Sequence, residues 1–243
     1  MKLKVINSGS SGNGYALISD DEILLIECGV SEKEMLKAID YQTSKVAGCL
    51  LSHSHGDHAN HIKGYMRYGI EMYCSDEVLN DIQTIYGEKT KSMQRMKQYR
   101  IGDFNVIAFR VPHSETECDG FFIEHDSFGK LLFITDAEYC LYNFSKLEIN
   151  HLMVECNYSK DYLIKDLENY GHVLRGHMEL ETCKRLIQTI NSPMLRSVGV
   201  LHLSVGNGNP TRFRKEISDI VDADVEVYVA EKNLEKELRL EPF

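Results

Sequence analysis

His53-Ser54-His55-Gly56-Asp57-His58 packs three imidazoles and a carboxylate into six residues. Packing does not explain such a stretch, because each of these side chains would need its own partner if buried. The pattern points to a metal site. Residues two apart on an extended chain share a side, so His53 and His55 face together, and Gly56 then turns the chain to bring in Asp57 and His58. One short segment can thus serve two neighbouring cations. Immediately upstream, Val46-Ala47-Gly48-Cys49-Leu50-Leu51 reads as a buried strand. The cluster therefore sits where a core strand ends, a usual place for chemistry in α/β folds.

Outward from this point, short apolar or alternating runs recur at Leu3–Ile6, Tyr15–Ile18, Ile23–Ile26, Ile70–Tyr73, Phe104–Val111, Gly120–Glu124, Leu131–Ile134, Leu152–Glu155, Val198–Leu201 and Val225–Val229. They read as strands. Helical spacing sets in at Met178, Leu180, Cys183, Leu186, Ile187 and Ile190, and again at Phe213, Ile217, Ile220 and Val221. Early strands follow one another as in hairpins and helices interrupt them singly, so the expected class is α/β (α+β), a mixed sheet system with helices packed outside. No Pro/Gly/Ser-rich linker, repeat or low-complexity tract divides the chain, and one domain over residues 1–243 is expected.

The 243 residues are 43% hydrophobic, enough for a substantial core. A formal charge of −10 disfavours an extended nucleic-acid or anionic-membrane surface. Seven scattered cysteines without a C-x-x-C pair fit a reducing compartment better than a disulfide framework, each thiol serving as a small buried residue. No run approaches the roughly 18 apolar residues that span a bilayer, and Asn7-Ser8-Gly9-Ser10 interrupts any secretory core. A soluble, cytoplasmic protein with no membrane partner is expected.

A dinuclear site needs further His and Asp residues at other strand ends. His113 follows Val111-Pro112, Asp136 follows Leu131 to Thr135, and His202 follows Val198 to Leu201. Any one alone would read as a satisfied structural residue; their recurrence beside the cluster makes them candidate ligands.

H-x-H-x-D-H followed by a lone His, a Thr-Asp and a late His at strand ends resembles the metallo-β-lactamase superfamily over nearly the whole chain. Ser8-Gly9-Ser10-Ser11-Gly12-Asn13, Leu24-Leu25-Ile26-Glu27-Cys28-Gly29, Glu155-Cys156-Asn157, Gly176-His177 and His202-Leu203-Ser204 are similar to the YycJ/WalJ branch, which is associated with 5′-to-3′ DNA exonuclease activity. The resemblance implies a four-layer αββα sandwich with the metals at one edge of the two sheets. By position it assigns His53, His55 and His113 to one ion, Asp57, His58 and His202 to the other, and Asp136 as the bridge. Two divalent ions are implied; imidazole and carboxylate donors suit Zn²⁺, with Mn²⁺ the alternative where oxygen ligands and phosphate dominate. The superfamily commonly carries Asp where this chain has Glu27, a carboxylate that supports the ligand loop without touching the metal.

Metal coordination brings the pKa of bound water toward neutrality, which makes hydroxide the expected nucleophile, placed by Asp57 and Asp136. A leaving alkoxide needs a proton, and His177, at the start of an amphipathic helix, is the candidate donor. Related phosphodiesterases place a non-ligand His at the matching position. The alternative is a capping or surface His. Ser8, Ser10, Ser11 and Asn13 could cradle a terminal phosphate or simply form a hairpin loop, and Asn157 is a further candidate for substrate. Asn207 and Asn209 read as turn residues, and His61, His125, His151 and His172 match no motif.

Lys89, Lys91, Arg95, Lys97 and Arg100 form a basic stretch that is either a solvated face or a landing strip for a polyanion. The interval from Asp136 to His202 is too short for the large extra domain of the β-CASP nucleases. The leading expectation is a dinuclear phosphodiesterase acting on DNA as an exonuclease. The alternatives are a hydrolase of small cyclic phosphodiesters, esters or thioesters, and a metal-binding module without catalysis. A homodimer, which would enlarge the basic surface, is left open.

Overall fold

Alternation along the central strands decides the layering. On β10 (Gly129–Ile134), Leu131 and Phe133 enter one apolar cluster while Leu132 and Ile134 enter another, the two-residue period of a strand covered on both faces. On β8 (Phe104–His113), Val106 and Ala108 share the first cluster and Phe109 and Val111 the second; on β11 (His151–Glu155), Met153 opposes Leu152 and Val154. The structure, a computed structural model, describes residues 1–163, 170–204 and 206–241, the side chains of residues 170, 172 and 173 excepted.

Hydrogen bonding joins the described strands into two seven-stranded sheets. The first runs β14 (Glu235–Glu237), β1 (Lys2–Asn7), β2 (Gly14–Ile18), β3 (Ile23–Ile26), β4 (Val46–Leu50), β5 (Met72–Ser75) and β6 (Lys91–Met93). The second runs β13 (Glu226–Val229), β12 (Ser197–Leu201), β11, β10, β9 (Thr116–His125), β8 and β7 (Gln98–Ile101). The sheets face each other across a core that joins Leu3, Tyr15, Leu24 and Leu50 of the first to Phe104, Phe121, Phe133 and Met153 of the second.

Helices α1 (Glu32–Ala38), α3 (Ile62–Arg67) and α4 (Asp76–Tyr86) cover the first sheet with Met35, Tyr65 and Ile82. Helices α6 (Leu180–Ile190) and α7 (Pro210–Ser218) cover the second with Cys183, Ile187 and Phe213. Two short helices, α2 (Gly56–Ala59) and α5 (Tyr170–Gly176), belong to the functional edge. The expected αββα sandwich is the fold observed.

Strands β6, β7 and β14 carry little apolar alternation because they lie at sheet edges, where one side needs no apolar partner and charge discourages pairing with other chains. The basic stretch reaches two of them through Lys91 and Arg100, and three of its five cations stand in ion pairs. Lys91 pairs with Glu71 at 3.2 Å, Arg100 pairs with Asp103, and Arg95 reaches the fully buried Asp119 at 2.6 Å and Glu117 at 2.8 Å. The stretch thus runs over two short edge strands and the turn between them, with ion pairs at three of its five cations.

His151 opens β11 at the end opposite Glu155, and its Nδ1 lies 2.8 Å from the Ser197 hydroxyl. Burial, with the Arg196 charge adding to it, pushes its pKa down to about 4. The unfolded ring titrates near 6.5, so between these values the unfolded chain binds the extra proton. Stability from the neutral ring is therefore complete above pH 6.5 and is lost as pH falls toward 4, by roughly 3 kcal/mol. His151→Gln is expected to flatten that limb in urea unfolding midpoints measured between pH 7 and pH 4. A wild-type slope in the variant would show that the limb has another origin.

Candidate metal centre

Parallel pairing of β10, β11 and β12 brings their C-terminal ends to one edge. Asp136 follows β10, Glu155 ends β11 and His202 follows β12, while His113 ends β8 and the loop after β4 carries His53 and His55. His55 caps α2, whose single turn holds Asp57 and His58. Four residues at this edge adopt left-handed backbone without being glycine: Glu27 (φ 65°), Ser114 (φ 50°), Asp136 (φ 45°) and His202 (φ 49°). Such conformations cost on the order of 1 kcal/mol or more each and persist where surrounding structure enforces them, which is typical of functional sites.

The seven candidate ligands converge. His53, His55 and His113 form one group, Asp57, His58 and His202 another, and Asp136 joins groups with His53 and His58 and with His202; the donor atoms within each group lie within 4.8 Å of one another. His113 donates from Nδ1 to the Gly176 carbonyl at 2.6 Å, which leaves the Nε2 lone pair aimed at His55 Nδ1, 3.1 Å away. His53 Nδ1 lies 2.8 Å from the Ser52 hydroxyl, and its fully buried Nε2 has no hydrogen-bond partner among the described residues. A buried acceptor of this kind, beside a second imidazole and a carboxylate, is what a cation satisfies. The cluster fits a dinuclear divalent metal site.

Charge in the cluster favours cations. Burial opposes protonation of His58, but the Asp136 carboxylate, 3.0 Å from Nε2, and Glu27 outweigh it and hold the ring well above its ordinary pKa. Burial likewise opposes protonation of His202, yet Asp136, Asp57 and Glu155 push it up to about 10. Burial would raise Asp136, but His202 and His58 hold it well below the usual carboxylate range. By contrast, burial with neighbouring imidazoles holds His53 and His55 down, and burial holds His113 down, leaving these rings neutral, as a metal requires.

Glu155 is the residue that sequence reasoning did not assign. Its Oε1 lies 2.7 Å from His177 Nδ1 and 3.1 Å from His202 Nδ1, and its Oε2 accepts the backbone N–H groups of Ala137 and Met178. The available signal was an acid closing an apolar strand, where a buried charge demands partners. His177 lies between α5 and α6, whose N-cap is Glu179, so it precedes the helix it was expected to begin. Its ring stacks on His202 at 5.3 Å, and Nδ1 is 3.5 Å from Asp136. Burial opposes its protonation, but Glu155 overrides this and raises its pKa. Asp136, Glu155, His177 and His202 also form a group with metal-binding geometry.

Glu27 packs its Oε2 3.5 Å from His58 Nδ1, behind the ring. Of the phosphate-cradle candidates, Ser8 accepts hydrogen bonds from His202 N–H at 2.9 Å and from the Tyr15 hydroxyl at 2.8 Å. Asn13 Nδ2 lies 2.9 Å from His58 Nε2, and the Asn13 N–H donates to the Asp57 carbonyl at 2.7 Å. A Cβ on Gly29 would fall 1.7 Å from that carbonyl, so only glycine admits the approach. Asn157 donates to the His202 carbonyl at 2.8 Å. These side chains hold the ligand loops, whereas Ser10 and Ser11 are exposed. Outside the site, His61 pairs with Glu32 and His125 with Glu22. Asn207 donates to Ser204, Asn209 caps α7, and the side chain of His172 lies outside the described residues.

Comparison with known proteins places this geometry. The chain is 24% identical over 242 residues to an exodeoxyribonuclease, YycJ, of Bacillus anthracis, covering 91% of this chain and 89% of that protein. It is 28% identical over 122 residues to the exodeoxyribonuclease WalJ of Streptococcus pneumoniae, spanning 46% of this chain and 45% of the relative. Among solved structures it resembles the metallo-β-lactamase fold protein YhfI of Bacillus subtilis (TM-score 0.75, 21% identity, 97% and 98% of the two chains). It also resembles the short form of human tRNase Z (TM-score 0.67, 16% identity, 98% and 99%). No helix among the described residues is long and apolar enough to cross a membrane. The family model for the β-lactamase superfamily domain matches residues 23–198, and the chain belongs to that superfamily, as a hydrolase of the metallo-β-lactamase fold.

Proposed function

We propose that the protein is a dinuclear metal-dependent phosphodiesterase acting on nucleic acid and, within that class, a DNA exonuclease working from the 5′ end. One observation carries the reading: His177, 2.7 Å from Glu155 and held toward its protonated form, stands beside the ligand cluster without being needed to complete either ligand group. Departure of a sugar alkoxide needs a proton, whereas a thiolate leaves without one. The exodeoxyribonuclease names of two relatives support the choice of substrate.

In this reading His53, His55 and His113 would hold one ion and Asp57, His58 and His202 the other, with Asp136 available to both groups and Zn²⁺ the best match to the donor set. When bound, the ions supply Lewis-acid charge to phosphate and acidify water. Asp57 and Asp136 orient the attacking water by accepting its hydrogen bonds. His177 gives its Nε2 proton to the departing oxygen while Glu155 holds the imidazole orientation through Nδ1. Glu27 steadies His58, and Ser8, Asn13 and Asn157 steady the loops that present the ligands.

A second reading, hydrolysis of small phosphodiesters, is favoured by the net charge of −10 and by the ion pairs at three of the five cations of the basic stretch. The deciding experiment incubates metal-loaded protein with 5′-labelled single- and double-stranded DNA, bis-p-nitrophenyl phosphate and a thioester. Progressive shortening of DNA is expected. Turnover of the thioester alone would refute the phosphodiesterase, and turnover of bis-p-nitrophenyl phosphate without DNA cleavage would favour the second reading.

A further inference from the structure

A cavity of about 420 Å³ opens beside the ligand cluster, lined by His55, Ser114, Glu115, Thr116, Glu138 and Arg175. Its wall is continuous with the metal site, since Thr116 Oγ1 lies 3.1 Å from His55 Nε2. Its far side is braced: Ser114, left-handed at φ 50°, donates its N–H to the Arg175 carbonyl at 2.8 Å, and Glu138 N–H donates to the Pro112 carbonyl at 2.9 Å. Arg175 donates from Nε to the Gly171 carbonyl at 3.2 Å and stands in no ion pair among the described residues. Its guanidinium is the one Lys or Arg cation on this wall, which it shares with two carboxylates and two hydroxyls.

A cavity with one cation, several acceptors and a wall part polar and part apolar suits neither an acyl chain nor bare phosphate. A nucleotide matches it, because its phosphate is anionic while its base presents N–H donors. We propose that this cavity holds the nucleotide adjoining the scissile bond, with Arg175 binding the phosphate one position away from the one that is cleaved. The inference rests on the phosphodiesterase reading and adds a residue that selects a polynucleotide over an isolated phosphodiester.

The test compares wild type with Arg175→Ala and Arg175→Lys. Binding of a 5′-phosphorylated single-stranded decanucleotide is measured with Ca²⁺ at several salt concentrations, and kcat/KM is measured for that oligonucleotide and for bis-p-nitrophenyl phosphate. Arg175→Ala is expected to weaken oligonucleotide binding about tenfold and to flatten the log–log salt slope by about 0.7, the loss of one single-strand phosphate contact. Its kcat/KM should fall at least tenfold more on the oligonucleotide than on bis-p-nitrophenyl phosphate. Arg175→Lys should restore the slope but only part of the affinity, since lysine lacks the bidentate fork. An unchanged salt slope, or equal losses on the two substrates, would overturn the role of Arg175. A wild-type protein that turns over neither phosphodiester overturns the underlying reading instead, whatever the variants do.

Discussion

Replacing His177 with Ala is expected to lower the rate of DNA cleavage by about 10²- to 10⁴-fold, the usual worth of a general acid, while both metal ions stay bound. The size of the effect follows from the leaving group. A sugar alkoxide departs poorly without a proton, whereas p-nitrophenolate departs unaided, so the same variant should lose far less on bis-p-nitrophenyl phosphate. Glu155 links this role to structure: its Oε1 meets both His177 and His202, and its other oxygen is held by two backbone N–H groups. Rates on the two substrates, with metal content measured on the same preparations, check the account. Equal losses would remove His177 as proton donor. Loss of an ion would make it a ligand, a role that its grouping with Asp136, Glu155 and His202 allows.

Asp136→Ala should be more severe still, with activity on every substrate falling more than about 10³-fold and metal no longer raising the melting temperature. Asp136 is almost fully buried, lies 3.0 Å from His58 Nε2, and is the acid that shares groups with ligands from both halves of the cluster. Without it, His58 and His202 lose the strongest of the influences that oppose burial, and the site loses a charge that favours cations. Metal at 100 times its dissociation constant adds about 2.7 kcal/mol to the stability of a protein that binds it only when folded. Wild-type protein should show that gain between chelator and metal, and Asp136→Ala should show little of it. A variant that melts like wild type with metal, and keeps its activity, would remove Asp136 from the centre.

Much of the architecture was legible because the core strands obey a two-residue period strictly, as Leu131 to Ile134 do in feeding opposite apolar layers. Edge strands were not legible: Lys91–Met93 and Glu235–Glu237 look like charged loops, since pairing on one side alone imposes no apolar pattern. The convergence of the seven candidate ligands could be anticipated because His113, Asp136 and His202 stand at or just beyond strand ends, and His53, His55, Asp57 and His58 share the one segment that follows β4. The supporting layer could not be ranked in the same way. Ser8 and Asn13 look alike as loop residues or as phosphate ligands, and only the fold reveals their contacts to His202 and to His58 of α2. Arg95 shows the same limit: its charge is visible in sequence, but its partner Asp119 lies 24 residues away on β9.

The central claim is a dinuclear centre built from those seven residues, and metal titration tests it most directly. Apoprotein prepared with chelator is dialysed against Zn²⁺ or Mn²⁺, and bound metal per chain is measured beside His113→Ala and His202→Ala. Two ions per wild-type chain are predicted, falling toward one in each variant as one group or the other is broken. A wild-type chain that binds one ion or none would contradict the account, as would variants that still bind two.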